Sequence, residues 1–317
     1  MDYILLIIGF VLLIKGADIF VDGASSIAKI TNVPPLLIGL TIVAFGTSAP
    51  EAAICINASL QGSGDLVLGN VIGSNMFNLL LAVGVASTIR AIKIKKTTVI
   101  KEFPLSIYAT ALMFLLSLDV YLGGQPQNLI SRADGLILLL GLGIFIFYLV
   151  ELAFMSKETE EEVDEIKTMT LPKSILFFII GLVAIILGGD LVVKSATNIA
   201  LAWGISETLV GLTIVSLGTS LPELVIAAIA SIKEKIDIAM GNIIGSGLFN
   251  ILFVLGISAV INPIEVDSKL YVDFSILLII TTITYIFAIT GRKIDRIEGI
   301  ILTLTYIGYI IFIVIRN

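Results

Sequence analysis

Apolar stretches of about 17–25 residues, each able to cross a hydrocarbon core of about 30 Å as a helix, recur along the whole chain between short polar segments. Ten can be placed, at roughly 3–22, 34–60, 65–89, 103–121, 133–154, 173–200, 207–232, 237–261, 269–291 and 297–315. The pattern predicts an all-α polytopic membrane protein with ten transmembrane helices. The first stretch has no basic residues before it and no small-residue cleavage site after it, so it reads as a retained span.

The pattern also repeats. "GLTIVAFGTSAPE", Gly39 to Glu51, returns as "GLTIVSLGTSLPE", Gly211 to Glu223, an offset of 172 residues that carries Gly9 to Gly181, Asp18 to Asp190, Gly69 to Gly241, Asn78 to Asn250 and Gly84 to Gly256 without a gap. Between Gly39 and Gly84 about half the aligned positions are identical. The chain is therefore read as a duplication, with five spans in 1–154, five in 173–317 and a linker at 155–172. With an odd number of spans per unit, the second enters the bilayer from the opposite face. The result is a pair of inverted-topology five-helix repeats, a common plan among secondary transporters.

Composition agrees: 57% of the 317 residues are hydrophobic, 14% are charged and mean hydropathy is +1.10, against roughly 25% charged in a soluble chain. There is no histidine, which excludes Ser-His-Asp, Cys-His and HExxH chemistry, and no enzymatic role is expected. The single Cys55 cannot form an internal disulfide. The net charge of −6, without a basic stripe, gives no footing for nucleic acid. Fourteen lysines and arginines, from Lys29 to Arg296, follow odd-numbered stretches, while Arg132, Lys269 and Arg316 face the other side. By the positive-inside rule both termini are expected outside the cell membrane. The acidic run Ser156 to Lys167 is then a cytoplasmic hinge without EF-hand spacing.

Pro50 and Pro222 must break their helices, since each lacks an N–H and displaces the carbonyl four residues back, at Gly46 and Gly218. Such a break at bilayer depth is tolerated only where it lines a protein cavity or binds an ion, and carbonyls near Ala44, Gly46 and Thr47 are expected to lose their partners. Glu51 lies one turn from Thr47 and Ser48, and Glu223 stands likewise to Thr219 and Ser220. In the next span of each half, "GNVIGSNMFN" and "GNIIGSGLFN" put Ser74 with Asn78, and Ser246 with Asn250, on one helix face. Every donor here is oxygen, and two are carboxylates, a set that suits hard cations such as Ca²⁺ and Na⁺. An intramembrane carboxylate is a functional-site hypothesis by default. Asp18 and Asp190 are placed near cytoplasmic span ends as structural residues, Asp65 and Asp237 are read as N-caps, and Asn70 and Asn242 receive no role.

These residues resemble the cation/Ca²⁺ exchanger superfamily, specifically its Na⁺/Ca²⁺ exchanger branch, whose two repeats carry GTSxPE followed by GNxxGSxxxN/D. The resemblance covers both repeats, each with GN eighteen residues after the glutamate. It implies a monomeric antiporter whose substrates are Ca²⁺ and Na⁺, with no cofactor. Glu51 and Glu223 would share a central Ca²⁺, helped by the carbonyls of Thr47 and Thr219. Na⁺ sites would add Ser48, Ser220, Ser74, Ser246 and the carbonyls of Ala44 and Ser216, with Asn78 and Asn250 completing the cluster. The family alternates access by sliding its first and sixth helices, here 3–22 and 173–200, across the other eight. Many members carry aspartate where this chain has Asn250, an acid associated with K⁺ coupling, so K⁺-independent exchange is expected. A proton-coupled Ca²⁺ antiporter is the alternative; a cation channel suits one midplane site less well.

Overall fold

The computed structural model describes residues 1–124, 127–155, 169–204 and 216–316, without the side chains of Gly123, Met155 and Ser216. Helix α1 (Asp2–Ile30) leads to a bent pair, α2 (Pro35–Thr47) and α3 (Ala49–Leu60), followed by α4 (Gly64–Ile89), α5 (Thr98–Leu116) and α6 (Arg132–Met155). Next come α7 (Leu171–Ala202), α8 (Leu221–Ile232), α9 (Ile236–Ile261), α10 (Leu270–Ile289) and α11 (Arg296–Arg316). Among the described residues eight helices are long and apolar enough to cross a membrane, and the bent pair α2–α3 makes nine. The tenth expected span, 207–232, is described only from Ser216 onward, as the short helix Ser216–Gly218 and α8. The acidic segment Ser156 to Lys167 lies outside the described residues.

Strand pairing among the described residues is confined to loops. β1 (Ile92–Lys93) pairs antiparallel with β4 (Lys293–Ile294), and β2 (Leu129–Ile130) with β3 (Ile264–Glu265). Ion pairs join the loop after α4 to the loop after α8 and to the start of α9 at one end, where Arg90 meets Glu234 at 2.7 Å and Lys95 meets Asp237 at 3.0 Å. Asp237 is thus a neutralised residue of the first turn rather than an N-cap; Lys235 precedes α9, and Ser63, not Asp65, precedes α4. At the other end Asn262 donates to the Ser59 carbonyl, and Arg316 holds Asp273 at 2.8 Å.

Helices α4 and α9 form the centre, with 78% of their apolar windows buried against 17% for α6. Their glycines, serines and asparagines allow close approach and interhelical hydrogen bonding, whereas large aliphatic side chains of α1, α6 and α11 point outward, as lipid-facing residues do. The antiparallel α1–α7 pair lies outside this centre and touches itself backbone to backbone. A Cβ on Gly23 would stand 2.6 Å from the Phe178 nitrogen, and one on Gly181 2.6 Å from the Phe20 nitrogen. Asp18 and Asp190 therefore belong to opposite ends of the pair, because the Asp190 segment runs beside Gly9; the expectation that both sit at the same end is corrected.

Backbone cannot yield as a side-chain tip can, so Gly181→Leu should destabilise by more than the about 1–3 kcal/mol typical of overpacked cores. The expected result is a lowered melting temperature in detergent. Gly143→Leu is the control, since nothing lies within 4 Å of a Cβ there, and it should melt with the parent.

Candidate functional site

Helices α2 and α3 meet at Ser48 (φ −82°, ψ 0°) with a 46° bend, and Pro50 stands in the first turn of α3. Ser220 (φ −92°, ψ 2°) precedes α8 in the same way, with Pro222 following. Each break starts a new helix whose first turn carries a glutamate, Glu51 or Glu223. The partial positive charge of a helix N-terminus favours a carboxylate there, which supports two acids in a core that excludes water; both side chains are fully buried.

Hydroxyls cross between the halves. Ser220 donates to Glu51 Oε1 at 3.3 Å and lies 3.0 Å from the Ser74 hydroxyl. Thr47 donates to Asn242 Oδ1 at 3.0 Å and lies 3.3 Å from the Ser246 hydroxyl. Thr219 joins Ser220 in flanking Glu51. Thr47 and Ser246 flank Glu223 but do not meet it in hydrogen-bonding geometry, so both its oxygens lack partners. Asn78 lies in a π-helical turn (Phe77–Ala82) and Asn250 opens another (Asn250–Leu255). Single π-turns inside α-helices are frequent at functional sites.

Not every expected donor is free. The Ala44 carbonyl accepts from the Ser48 N–H at 3.0 Å and from the Thr47 hydroxyl at 3.2 Å, because the chain turns tightly through Ser48 and keeps that bond. The expectation of an unpartnered carbonyl at Ala44 is corrected. Ser216 opens the short helix before the second break, one turn ahead of Thr219.

Buried polar groups are ordinarily hydrogen-bonded, so the exceptions carry information. Fourteen buried side-chain polar atoms among the described residues have no partner, and nine belong to Ser48, Glu51, Asn78, Glu223, Asn242 and Asn250. The orphans are thus concentrated in the two repeated motifs, at the glutamate breaks and in the asparagines of the spans that follow them. Among the described residues no three His, Cys, Asp or Glu side chains come together. Two carboxylates surrounded by neutral oxygens are the chemistry of hard cations.

A cavity of about 490 Å³ opens where Asp267 and Lys269 are exposed, passes Asp65 and Asn70, and reaches Thr219. It touches the cluster at its Thr219 edge without reaching either glutamate. Three buried polar residues escape the sequence reading. Asn242 enters the cluster through Thr47, whereas its counterpart Asn70 accepts from the Cys55 thiol at 3.5 Å. Glu102 is fully buried and accepts from the Tyr148 hydroxyl, with Oε2 unpartnered. Asp273 accepts from both Arg316 and Tyr309. An acid inside an apolar stretch is the available signal for Asp273, whereas Glu102 stands just before the stretch that begins at 103.

Comparison with known proteins follows the same outline. The family model described as "Sodium/calcium exchanger protein" matches residues 1–151 and 173–315. The "Sodium/calcium exchanger MaX1" of Methanosarcina acetivorans is 30% identical over 341 residues, spanning 98% of this chain and 97% of the relative. The "Inner membrane protein YrbG" of Escherichia coli is 37% identical, spanning 88% and 86%. A solved structure of the sodium-calcium exchanger NCX_Mj, soaked with Na⁺ and Sr²⁺, superposes with a TM-score of 0.84 at 30% identity, covering 98% of this chain and 97% of that one.

Proposed function

Since this chain belongs to the sodium/calcium exchanger protein family, in the prokaryotic branch of the cation/Ca²⁺ exchangers, we propose that it exchanges Na⁺ for Ca²⁺ by alternating access around Glu51 and Glu223. The observation that carries this reading is the concentration of orphaned buried oxygens and amides in the two repeated motifs that carry the carboxylates. In this reading Ca²⁺ takes both carboxylates together with the carbonyls of Thr47 and Thr219. Na⁺ ions take the same carboxylates with Ser48, Ser74, Ser220, Ser246, Asn78, Asn250 and the carbonyl of Ser216. Ca²⁺ and Na⁺ compete for the charge, so one leaves as the other enters.

The halves 1–154 and 173–317 act as inverted repeats, and the α1–α7 pair slides across the core to close one entrance and open the other. Two contacts support the sliding surface: Gly46 faces Leu182, and Gly218 faces Val193, so each break presents a glycine to α7. Both termini are assigned to the outside, where the cavity past Asp65 and Lys269 would admit external ions. Asparagine at position 250 supplies no further charge, and exchange is assigned as K⁺-independent.

The test is flux in proteoliposomes. An outward Na⁺ gradient should drive ⁴⁵Ca²⁺ uptake, with K⁺ present or absent. A pH gradient without Na⁺ should not. Equal uptake under the pH gradient would replace the reading with proton coupling on the same fold.

A further inference from the structure

Lys233 follows the last residue of α8 and grips α1 by three contacts. Its ammonium lies 2.8 Å from Asp18 Oδ1, 2.7 Å from Asp22 Oδ1 and 2.7 Å from the Asp18 carbonyl oxygen. An ammonium has three donors, and all three are spent on one neighbouring helix. The same α8 carries Glu223 in its first turn, so a single helix of 12 residues, about 18 Å at 1.5 Å per residue, joins the ion cluster to this grip.

The internal duplication shows the same place built differently. At the offset of 172, Asp18 corresponds to Asp190, Asp22 to Lys194 and Lys233 to Gln61. In that copy Lys194 neutralises Asp190 within α7, at 2.8 Å and one turn away, and Gln61 brings no charge to reach across. The copy lies at the opposite end of the molecule: Gln61 follows α3 beside Gly62 and Asp65, where the cavity is lined, and the Asp190 segment packs against Gly9. Among the described residues one end is thus tied by ion pairs across the α1–core boundary and the other is not. The cavity opens at the untied end.

We propose that Lys233, Asp18 and Asp22 form an ionic latch that holds the α1–α7 pair to the core at one end, biasing the exchanger toward the state open at the other. This rests on the alternating-access reading above. To open at the Lys233 end, α1 must leave α8 and all three contacts must break. Among the described residues no matching ionic tie opposes the reverse movement, and the latch makes the equilibrium between the two states unequal. Ions entering at the Asp65 end then meet a site populated in the competent form, and apparent affinity on that side is correspondingly higher.

The probe is a cysteine at Leu217, which lines the cavity, in the full chain with Cys55→Ala, labelled by a membrane-impermeant maleimide from the Asp65 side. Partly exposed ion pairs are individually weak, and breaking this triad with Lys233→Gln should slow labelling by about three- to tenfold as the latched state loses population. Asp18→Asn with Asp22→Asn should give the same slowing, and adding Lys233→Gln to that pair should slow it no further, as members of one network do. Lys233→Arg, which keeps the charge, should label like the parent, and about 1 M salt should slow the parent toward the Lys233→Gln rate. Unchanged labelling in Lys233→Gln, or slowing that adds between the two sets, would overturn the latch. Failure of the antiport reading is separate: the parent would then lack Na⁺-driven Ca²⁺ uptake while labelling still reports the two conformations.

Discussion

Glu51→Gln and Glu223→Gln should each reduce Ca²⁺ affinity by on the order of 10³-fold and abolish measurable Na⁺-driven uptake. Two unit charges 4 Å apart interact by about 4 kcal/mol at an effective dielectric near 20, and a divalent ion feels at least that much from each carboxylate. Serine, threonine and asparagine oxygens can complete a coordination shell but cannot replace the charge. The same substitution relieves repulsion between two acids buried in one cluster, so the Ca²⁺-free variants should melt at or above the parent temperature. Their signature is therefore a normal fold that Ca²⁺ no longer stabilises, read as loss of the Ca²⁺-induced rise in melting temperature. A variant that keeps both that rise and near-normal uptake would remove its glutamate from the ligand set.

Membrane potential should act nearly as strongly. The cluster contributes only the two negative charges of Glu51 and Glu223, because positions 78 and 250 are asparagine. A Ca²⁺-loaded cluster is then neutral, and one holding three Na⁺, as the family resemblance implies, carries one positive charge. A potential of 100 mV does about 2.3 kcal/mol of work on each charge moved, on the order of 50-fold in the Ca²⁺ ratio at equilibrium. With Na⁺-loaded liposomes taking up Ca²⁺, valinomycin and excess external K⁺ make the interior positive and should accelerate uptake. Reversing the K⁺ gradient should slow it. Asn250→Asp should leave the net charge per cycle unchanged but move the charged step to the Ca²⁺-loaded form. Uptake indifferent to voltage would indicate two Na⁺ per Ca²⁺.

Much of this site is legible in the sequence, for a physical reason. Proline acts on the backbone wherever it stands, so the breaks before Pro50 and Pro222 can be read without tertiary information, and the duplication shows each of them twice. The glutamates follow, because a mid-membrane acid demands an explanation that a surface acid does not. What depends on packing is less legible. Asn70 and Asn242 occupy the same place in the same motif, yet Asn70 meets Cys55, whose repeat counterpart is Ala227, and Asn242 meets Thr47 across the halves. Asp65 and Asp237 look like N-caps, but their helices begin after Ser63 and Lys235, and Lys95 crosses from another loop to neutralise Asp237. Glu102 escapes because hydropathy starts the fourth span at 103, whereas a π-helical turn, Thr98–Glu102, draws the acid into the helix and against Tyr148. The Lys233 grip joins residues more than two hundred positions apart, and nothing local announces it.

Equilibrium binding of ⁴⁵Ca²⁺ to the purified protein, titrated with Na⁺, is the decisive measurement, because exchange through one cluster requires the two ions to exclude each other. One Ca²⁺ per chain is expected, displaced by Na⁺ along a curve steeper than one-for-one competition and unaffected by K⁺ at the same ionic strength. Ca²⁺ that stays bound at saturating Na⁺ would contradict a shared site at Glu51 and Glu223.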